Sequence, residues 1–137
     1  MTTEEKDLLR KDLCARLAYH VRCKIWIKDG TTEEGLLDLE HNYADVLLNA
    51  FYYDNIKDIK PYLRPMSSMT EEEKKELEDE INKDFKLAII ACKKNDISKS
   101  TSGFYKIDWL NAHHFDYRGL IEKGLAISVT EENNPYK

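Results

Sequence analysis

Glycine is scarce in this chain, with five in 137 residues, and none belongs to a Gly-rich loop of the kind that cradles phosphates. A nucleotide-binding site of that type is therefore not expected. The serines at Ser67, Ser68, Ser98, Ser100 and Ser102 lack a Gly-x-Ser-x-Gly elbow, so the usual serine-hydrolase nucleophile is missing too. Cysteine is equally sparse. Cys14, Cys23 and Cys92 are an odd, widely spaced set that suits buried thiols in a reducing compartment better than a disulfide framework. Cys92 is followed by Lys93 and Lys94, which could activate a thiolate, but it closes a very apolar stretch and reads as inert. The longest apolar run, residues 87–92, is far too short to span a bilayer. The opening MTTEEKDLLRKD has no basic segment followed by an apolar one, so no secretory signal is expected and the chain reads as cytoplasmic.

What is present describes an ordinary folded protein, with 42% hydrophobic, 34% charged and 10% aromatic residues. The length favours one domain over residues 1–137, with sub-lobes at residues 1–66 and 70–137 as the natural division. The formal charge of −5 is concentrated in residues 70–84, where eight acids face three lysines. The remainder is neutral, which argues against both a strongly basic nucleic-acid binder and a uniformly acidic mimic of nucleic acid.

The periodicities outline an α+β chain. Thr2 and Glu5 have capping-box spacing, and Leu9, Leu13 and Leu17 mark an amphipathic helix ending near Tyr19. From Val21 the period becomes two: Val21, Cys23, Ile25 and Ile27 alternate with Arg22, Lys24, Trp26 and Lys28, a half-buried strand. Asp29-Gly30 begins a hairpin loop lengthened by TTEE, and short strands are expected at residues 36–40 and 45–48, joined at His41-Asn42, with 51–53 either extending the third strand or starting a fourth. Pro61 and Pro65 argue against a regular element running between them. This spacing fits a small curled antiparallel sheet, for which an SH3-like barrel is one closure and a plain twisted sheet another. Thr70 and Glu73 form a second capping box that opens an acidic surface helix. Residues 85–92, apolar on both alternations, read as a strand covered on both faces. Residues 93–103 have loop composition; a helix N-capped by Asp108 and stopped by Gly124 follows, then a strand through Leu125, Ile127 and Val129. The C-terminal part is thus expected to be β-α-β.

Three blocks are familiar together: KDLCARL at residues 11–17, KPYLRPMSSMTEEE at 60–73 and IDWLNAHHFDYRGLIEKGLA at 107–126. With them the chain resembles a family of small uncharacterised proteins encoded by gut bacteria and their prophages or other mobile elements. In that family the first block continues into a Pro-Tyr-Gly turn; Ala18-Tyr19-His20 stands there instead, implying a less sharply bent junction. The resemblance implies a mobile-element setting and a binding role, and no catalytic residue or ligand.

The most chemically suggestive cluster is His113, His114 and Asp116, with Arg118 beside it, since imidazole next to carboxylate serves both general-base and metal chemistry. On one helix, however, adjacent histidines diverge by about a hundred degrees, and no second pair supplies further metal ligands. The plainer reading has one histidine packed under the helix and the other in solvent, with Asp116 capping the next turn and Arg118 bonding helix-end carbonyls. Arg64, between two prolines, either anchors an anionic partner or ties its own turn to a nearby carboxylate. Arg22, Lys24, Trp26 and Lys28 would form a basic face with an aromatic, suited to phosphate and stacking, but residues 29–55 carry seven acids and no Lys or Arg and can neutralise it across the sheet. Trp26 beside arginine is equally the composition of a protein-binding hot spot. The sequence therefore favours a non-enzymatic protein with no cofactor and no metal, whose partner is a protein. A nucleic-acid-binding small β-barrel is the alternative, and a small hydrolase or metal protein around His113, His114 and Asp116 the third reading. A membrane partner is not expected.

Overall fold

A computed structural model describes residues 2–37, 56–94 and 104–136. The elements are α1 (Thr3–Arg16), a 3-10 turn (Leu17–Tyr19), β1 (Val21–Ile27), β2 (Thr32–Leu37), β3 (Ile56–Leu63), a second 3-10 turn (Met66–Ser68), α2 (Glu71–Lys94), α3 (Phe104–Ala112) and β4 (Ile127–Ser128). The class is α+β with an N-terminal helix. No described helix is long and apolar enough to cross a membrane.

The first capping box forms in full: the Glu5 amide donates to the Thr2 hydroxyl at 3.1 Å, and the Thr2 amide donates to Glu5 Oε2 at 2.8 Å. Leu9, Asp12, Leu13 and Arg16 share the inner face of α1 and are fully buried. Cys14, one position round from Leu13, is exposed, which corrects the expectation that all three thiols are buried. Cys23 is buried on β1, and desolvation pushes its thiol pKa far up. At the helix-to-strand junction no glycine is present, and His20 itself adopts φ 56, the left-handed conformation that ends many helices.

β1 alternates as its sequence implies, with Val21, Cys23 and Ile25 buried. Gly30, at φ 95, helps turn the chain into β2, which starts at Thr32 rather than Leu36 because the TTEE segment is recruited into pairing. The expected strands at residues 45–48 and 51–53 and the His41-Asn42 turn lie outside the described residues. β3 runs through Pro61, against expectation. Pro61 pairs with Cys23 on β1, and on the other flank β4 meets β3 only at Tyr62 and Leu63, so a residue without an N–H is tolerated at this point. The sheet order is β2-β1-β3-β4, with β4 parallel to β3 and the other pairs antiparallel; among the described residues it is open and does not close into an SH3-like barrel.

α2 corrects the reading of residues 85–92 as a strand: the helix continues through them to Lys94. A short, mostly apolar stretch does not distinguish a strand from a helix. No Gly or Pro lies between Met66 and Ser102 to stop the acidic helix, and Lys86, Leu87, Ala88 and Ala91 are good helix formers. The expected C-terminal β-α-β portion thus has a helix in place of its first strand. α3 begins at Phe104, four residues before the expected cap Asp108, because Asp84 of α2 caps it from outside: its carboxylate accepts from the Tyr105 and Lys106 amides at 2.9 and 3.1 Å. The helix stops at Ala112 instead of continuing to Gly124; a separate turn closes at Gly124, whose φ is 72.

The main core joins the two ends of the chain. Leu9 and Leu13 of α1 pack with Val21, Cys23 and Ile25 of β1, Ile59 and Leu63 of β3, and Leu120, Leu125 and Ala126. A second cluster, Trp109, Leu110 and Phe115, is flanked by Met69, Leu77 and Tyr117.

Candidate functional site

The candidate residues separate into two places. The first surrounds Phe115. Arg16, fully buried, donates from Nε to Asp12 Oδ2 at 2.8 Å and from Nη2 to the Phe115 carbonyl at 2.7 Å. Arg118 reaches Asp12 Oδ1 at 3.5 Å and the Tyr117 hydroxyl at 3.2 Å, bonding a carboxylate where a helix-end carbonyl was expected. Arg64 lies over the Phe115 ring, 4.2 Å from its centre, and grips Glu73 with two bonds of 2.7 and 2.8 Å. Its backbone pairs with the same loop, the Arg64 amide donating to the His114 carbonyl at 2.7 Å and the Asp116 amide to the Arg64 carbonyl at 2.9 Å. Members of all three sequence blocks behind the family resemblance thus meet at Phe115.

Most of the polar groups there are engaged within the chain. The Asp116 carboxylate accepts from the Leu120 and Ile121 amides, both at 2.9 Å, capping the turn as expected. His113 stacks on Trp109 with ring centres 4.0 Å apart and bonds the Trp109 carbonyl through Nδ1 at 2.9 Å. His114, at φ 61, stacks on Tyr136 at 3.7 Å. Neither histidine is fully solvent-exposed, which corrects the picture of one packed and one in solvent; the chain leaves the helix at this pair, and each ring finds its own aromatic. Burial, and then the positive charge of Arg16, lower the His114 pKa from 6.5 to about 4. Two buried atoms, Arg16 Nη1 and His114 Nδ1, have no hydrogen-bond partner among the described residues. Among those residues no group of three His, Cys, Asp or Glu side chains is placed to hold a metal ion.

The second place is the outer face of the sheet. Arg22, Lys24 and Trp26 alternate with the buried side of β1. Arg22 and Lys28 are exposed, while Lys24 and Trp26 are half-buried. Lys24 faces Glu34 on β2 and Lys60 on β3, and Trp26 faces Thr32 and Asp58. The ammonium groups of Lys24 and Lys60 lie 5.5 and 5.8 Å from the centre of the Trp26 ring, one cation from each of two strands. Tyr62 donates to Glu34 Oε1 at 2.7 Å, and burial with this carboxylate lifts its pKa to about 12. The acids therefore sit beside the basic strand as cross-strand partners, and a cationic frame remains around the tryptophan.

Sequence reasoning missed Lys60, because its place beside Trp26 depends on the β1–β3 register. It also missed Asp12 and Arg16, whose spacing of four reads as a surface ion pair although they share a face with Leu9 and Leu13. Arg64 does not join the Trp26 face; its charge is spent on Glu73. A third feature, a hollow of about 630 Å³ between α2 and Trp109, is lined by mixed acids and lysines, with Lys83 already paired to Glu80 at 3.0 Å.

The chain matches no protein-family model, no curated protein and no solved structure.

Proposed function

We propose that this chain is a non-enzymatic, cytoplasmic accessory protein of a prophage or mobile element, and that it docks a partner protein on the outer face of β2-β1-β3. The observation that carries this reading is the contrast between the two places. Around Phe115 the arginines and carboxylates are committed to one another and hold the chain together. Around Trp26 a large aromatic is framed by Lys24 and Lys60 on a sheet face, with Arg22 alongside. Tryptophan with neighbouring cations is the composition of binding hot spots, where one ring fills a partner's pocket and the charges orient the approach. The mobile-element setting rests on the three blocks of the family resemblance.

The test is affinity capture from a host lysate with the wild-type chain and with Trp26→Ala in parallel. The expected result is one stoichiometric partner protein retained by the wild type and lost by the variant. Recovery of no such partner, or equal recovery by both chains, would overturn the reading.

The Lys24–Trp26–Lys60 arrangement also favours a second reading, in which the face stacks a base and contacts phosphates of a single-stranded nucleic acid. The two readings separate by salt titration. Phosphate contacts make affinity fall steeply and log-linearly as salt rises, and absence of binding at low salt removes the nucleic-acid reading.

A further inference from the structure

Pairing between β1 and β3 runs from Ile27 with Ile56 to Cys23 with Pro61. Both strands continue two residues further, to Val21 and Leu63, outside that register. At this fork the next residues, Arg22 and Tyr62, are bridged by a side chain. The Tyr136 hydroxyl accepts from the Arg22 amide at 3.1 Å and donates to the Tyr62 carbonyl at 2.7 Å. A phenol oxygen, both donor and acceptor, is suited to stand between an N–H and a C=O. The face of the same ring lies on His114, with centres 3.7 Å apart and planes inclined by 7°.

The segment that delivers Tyr136 is fastened at its two ends. At the first, the Val129 amide donates to the Leu63 carbonyl at 2.8 Å and the Asn133 side-chain amide to the Ser128 carbonyl at 3.1 Å. Residues 130–133 are exposed and close on themselves, the Thr130 hydroxyl donating to Asn133 Oδ1 at 2.7 Å. Among the described residues, the hydrogen bonds of residues 130–135 stay within residues 128–136. Tyr136 is the anchor at the far end. What that anchor covers is held at a cost. His114 Nδ1 is buried with no hydrogen-bond partner among the described residues, and a polar atom left so is destabilising. Burial, then Arg16 of α1, the adjacent His113, Arg64 after β3 and His20 before β1, all of them basic, favour the neutral ring.

We infer that residues 130–136 are a strap that opens at Tyr136 while the rest of the fold stays closed, giving the Arg22 amide, the Tyr62 carbonyl and the His114 ring to water. Because the closed strap disfavours the imidazolium, protonation of His114 favours the open strap by the same factor. The strap is therefore tightest above pH 6.5 and loosens as the pH falls toward 4. Arg22 belongs with Lys24 to the outer face around Trp26, so the strap fastens one end of that face. Neither measurement that tests it involves a partner, and it stands or falls apart from the docking reading.

The first measurement is native-state amide hydrogen exchange of the full-length wild-type chain by NMR. Relative to its intrinsic rate, Arg22 should exchange at least about tenfold faster than Lys24, two residues along the same side of β1. Equal protection would mean that the segment opens only with the whole fold, and overturns the inference. The second is titration of His114 in the wild type and in Tyr136→Ala. Uncovering the ring should raise its pKa from about 4 toward 6.5. A rise of at least about one unit is expected, and each unit is about tenfold in strap opening. Tyr136→Phe keeps the stack and loses the hydroxyl, so it should leave the His114 pKa near its wild-type value while lowering the protection of Arg22. Arg22 protection that ignores this substitution overturns the bridge, and an unchanged His114 pKa in folded Tyr136→Ala overturns the proton link. Should Tyr136→Ala misfold, wild-type Arg22 decides the link: its protection should fall at least about tenfold between about pH 7 and about pH 5, and a constant value overturns it.

Discussion

Arg64 and Glu73 are joined fork to fork, Nη1 to Oε2 at 2.7 Å and Nη2 to Oε1 at 2.8 Å, across the turn that separates β3 from α2. Glu73 does two jobs at once. It closes the capping box by accepting from the Thr70 amide at 3.0 Å, and it fixes the guanidinium that lies over Phe115. One carboxylate thereby links the start of α2 to the last strand of the N-terminal half and to the loop after α3.

The pH dependence of that link follows from its charge. The hydrogen bonds from Arg64, with smaller help from Thr70, pull the Glu73 pKa from 4.5 down to about 2. The folded protein therefore binds this proton less readily than the unfolded chain. The stabilisation is complete above about pH 4.5 and is lost as the pH falls toward 2. Glu73→Gln, which can still accept at the cap but carries no charge, should cost about 1–2 kcal/mol at neutral pH. It should also flatten the urea midpoint between those two pH values. An unchanged acid limb in the variant would show that other carboxylates carry the acid sensitivity.

The Asp12–Arg16 pair should behave differently, because both side chains are fully buried. Removing one member leaves the other charged and desolvated, so Asp12→Ala should cost about 3–5 kcal/mol. Replacing both with apolar residues of similar volume, Asp12→Leu with Arg16→Met, removes the stranded charge and should recover a large part of that loss. The recovery will be incomplete because Arg16 also bonds the Phe115 carbonyl. Chemical denaturation of the two single variants and the double gives the coupling energy directly. Additive losses would mean that the pair does not act as a unit.

How far such features could be read in advance depended on whether the partner was local. Both capping boxes, Thr2 with Glu5 and Thr70 with Glu73, were legible because their members lie three residues apart. So was the alternation of β1. The Asp116 cap was legible for the same reason, since it serves amides four and five residues on. The helical state of residues 85–92 was not, because an apolar run satisfies either period, and what decides is the absence of a breaker together with Asp84 reaching over to cap α3. The buried state of Asp12 and Arg16 depends on Arg118 and Phe115, about a hundred residues away, and the second cation beside Trp26 depends on strand register. Chemistry carried by one short stretch is visible in sequence, and chemistry assembled between stretches is not.

His114 offers a pH window of its own. Burial holds its pKa near 4, below the 6.5 of an exposed imidazole. Between those values the unfolded chain takes up a proton that the folded protein refuses, so stability falls as the pH drops from 6.5 to 4 and is unaffected above that range. His114→Asn tolerates the left-handed backbone at φ 61 and has no group titrating there. It should lower the neutral-pH midpoint, because the stack on Tyr136 is lost, and reduce the slope of midpoint against pH inside the window. Direct NMR titration of the imidazole is the sharper measurement: a His114 resonance that titrates near 6.5 in the folded protein would refute the assignment.

The two tryptophans should separate stability from binding. Trp109 is 8% exposed, stacks on His113 and on Phe115, and donates to Glu76 from Nε1 at 3.3 Å. Trp109→Ala opens a cavity in the second core cluster and should cost about 3–5 kcal/mol. Trp26 is half-buried, and its described neighbours are lysines and strand partners, so Trp26→Ala should cost about 1 kcal/mol or less. Urea unfolding of both variants ranks them, and acrylamide quenching of Trp109→Phe, in which Trp26 is the only fluorophore of its kind, reports how open the sheet face is. If Trp26 proved as inaccessible as Trp109 and as costly to remove, the ring would belong to the packing of the fold. The docking surface would then have to be sought elsewhere.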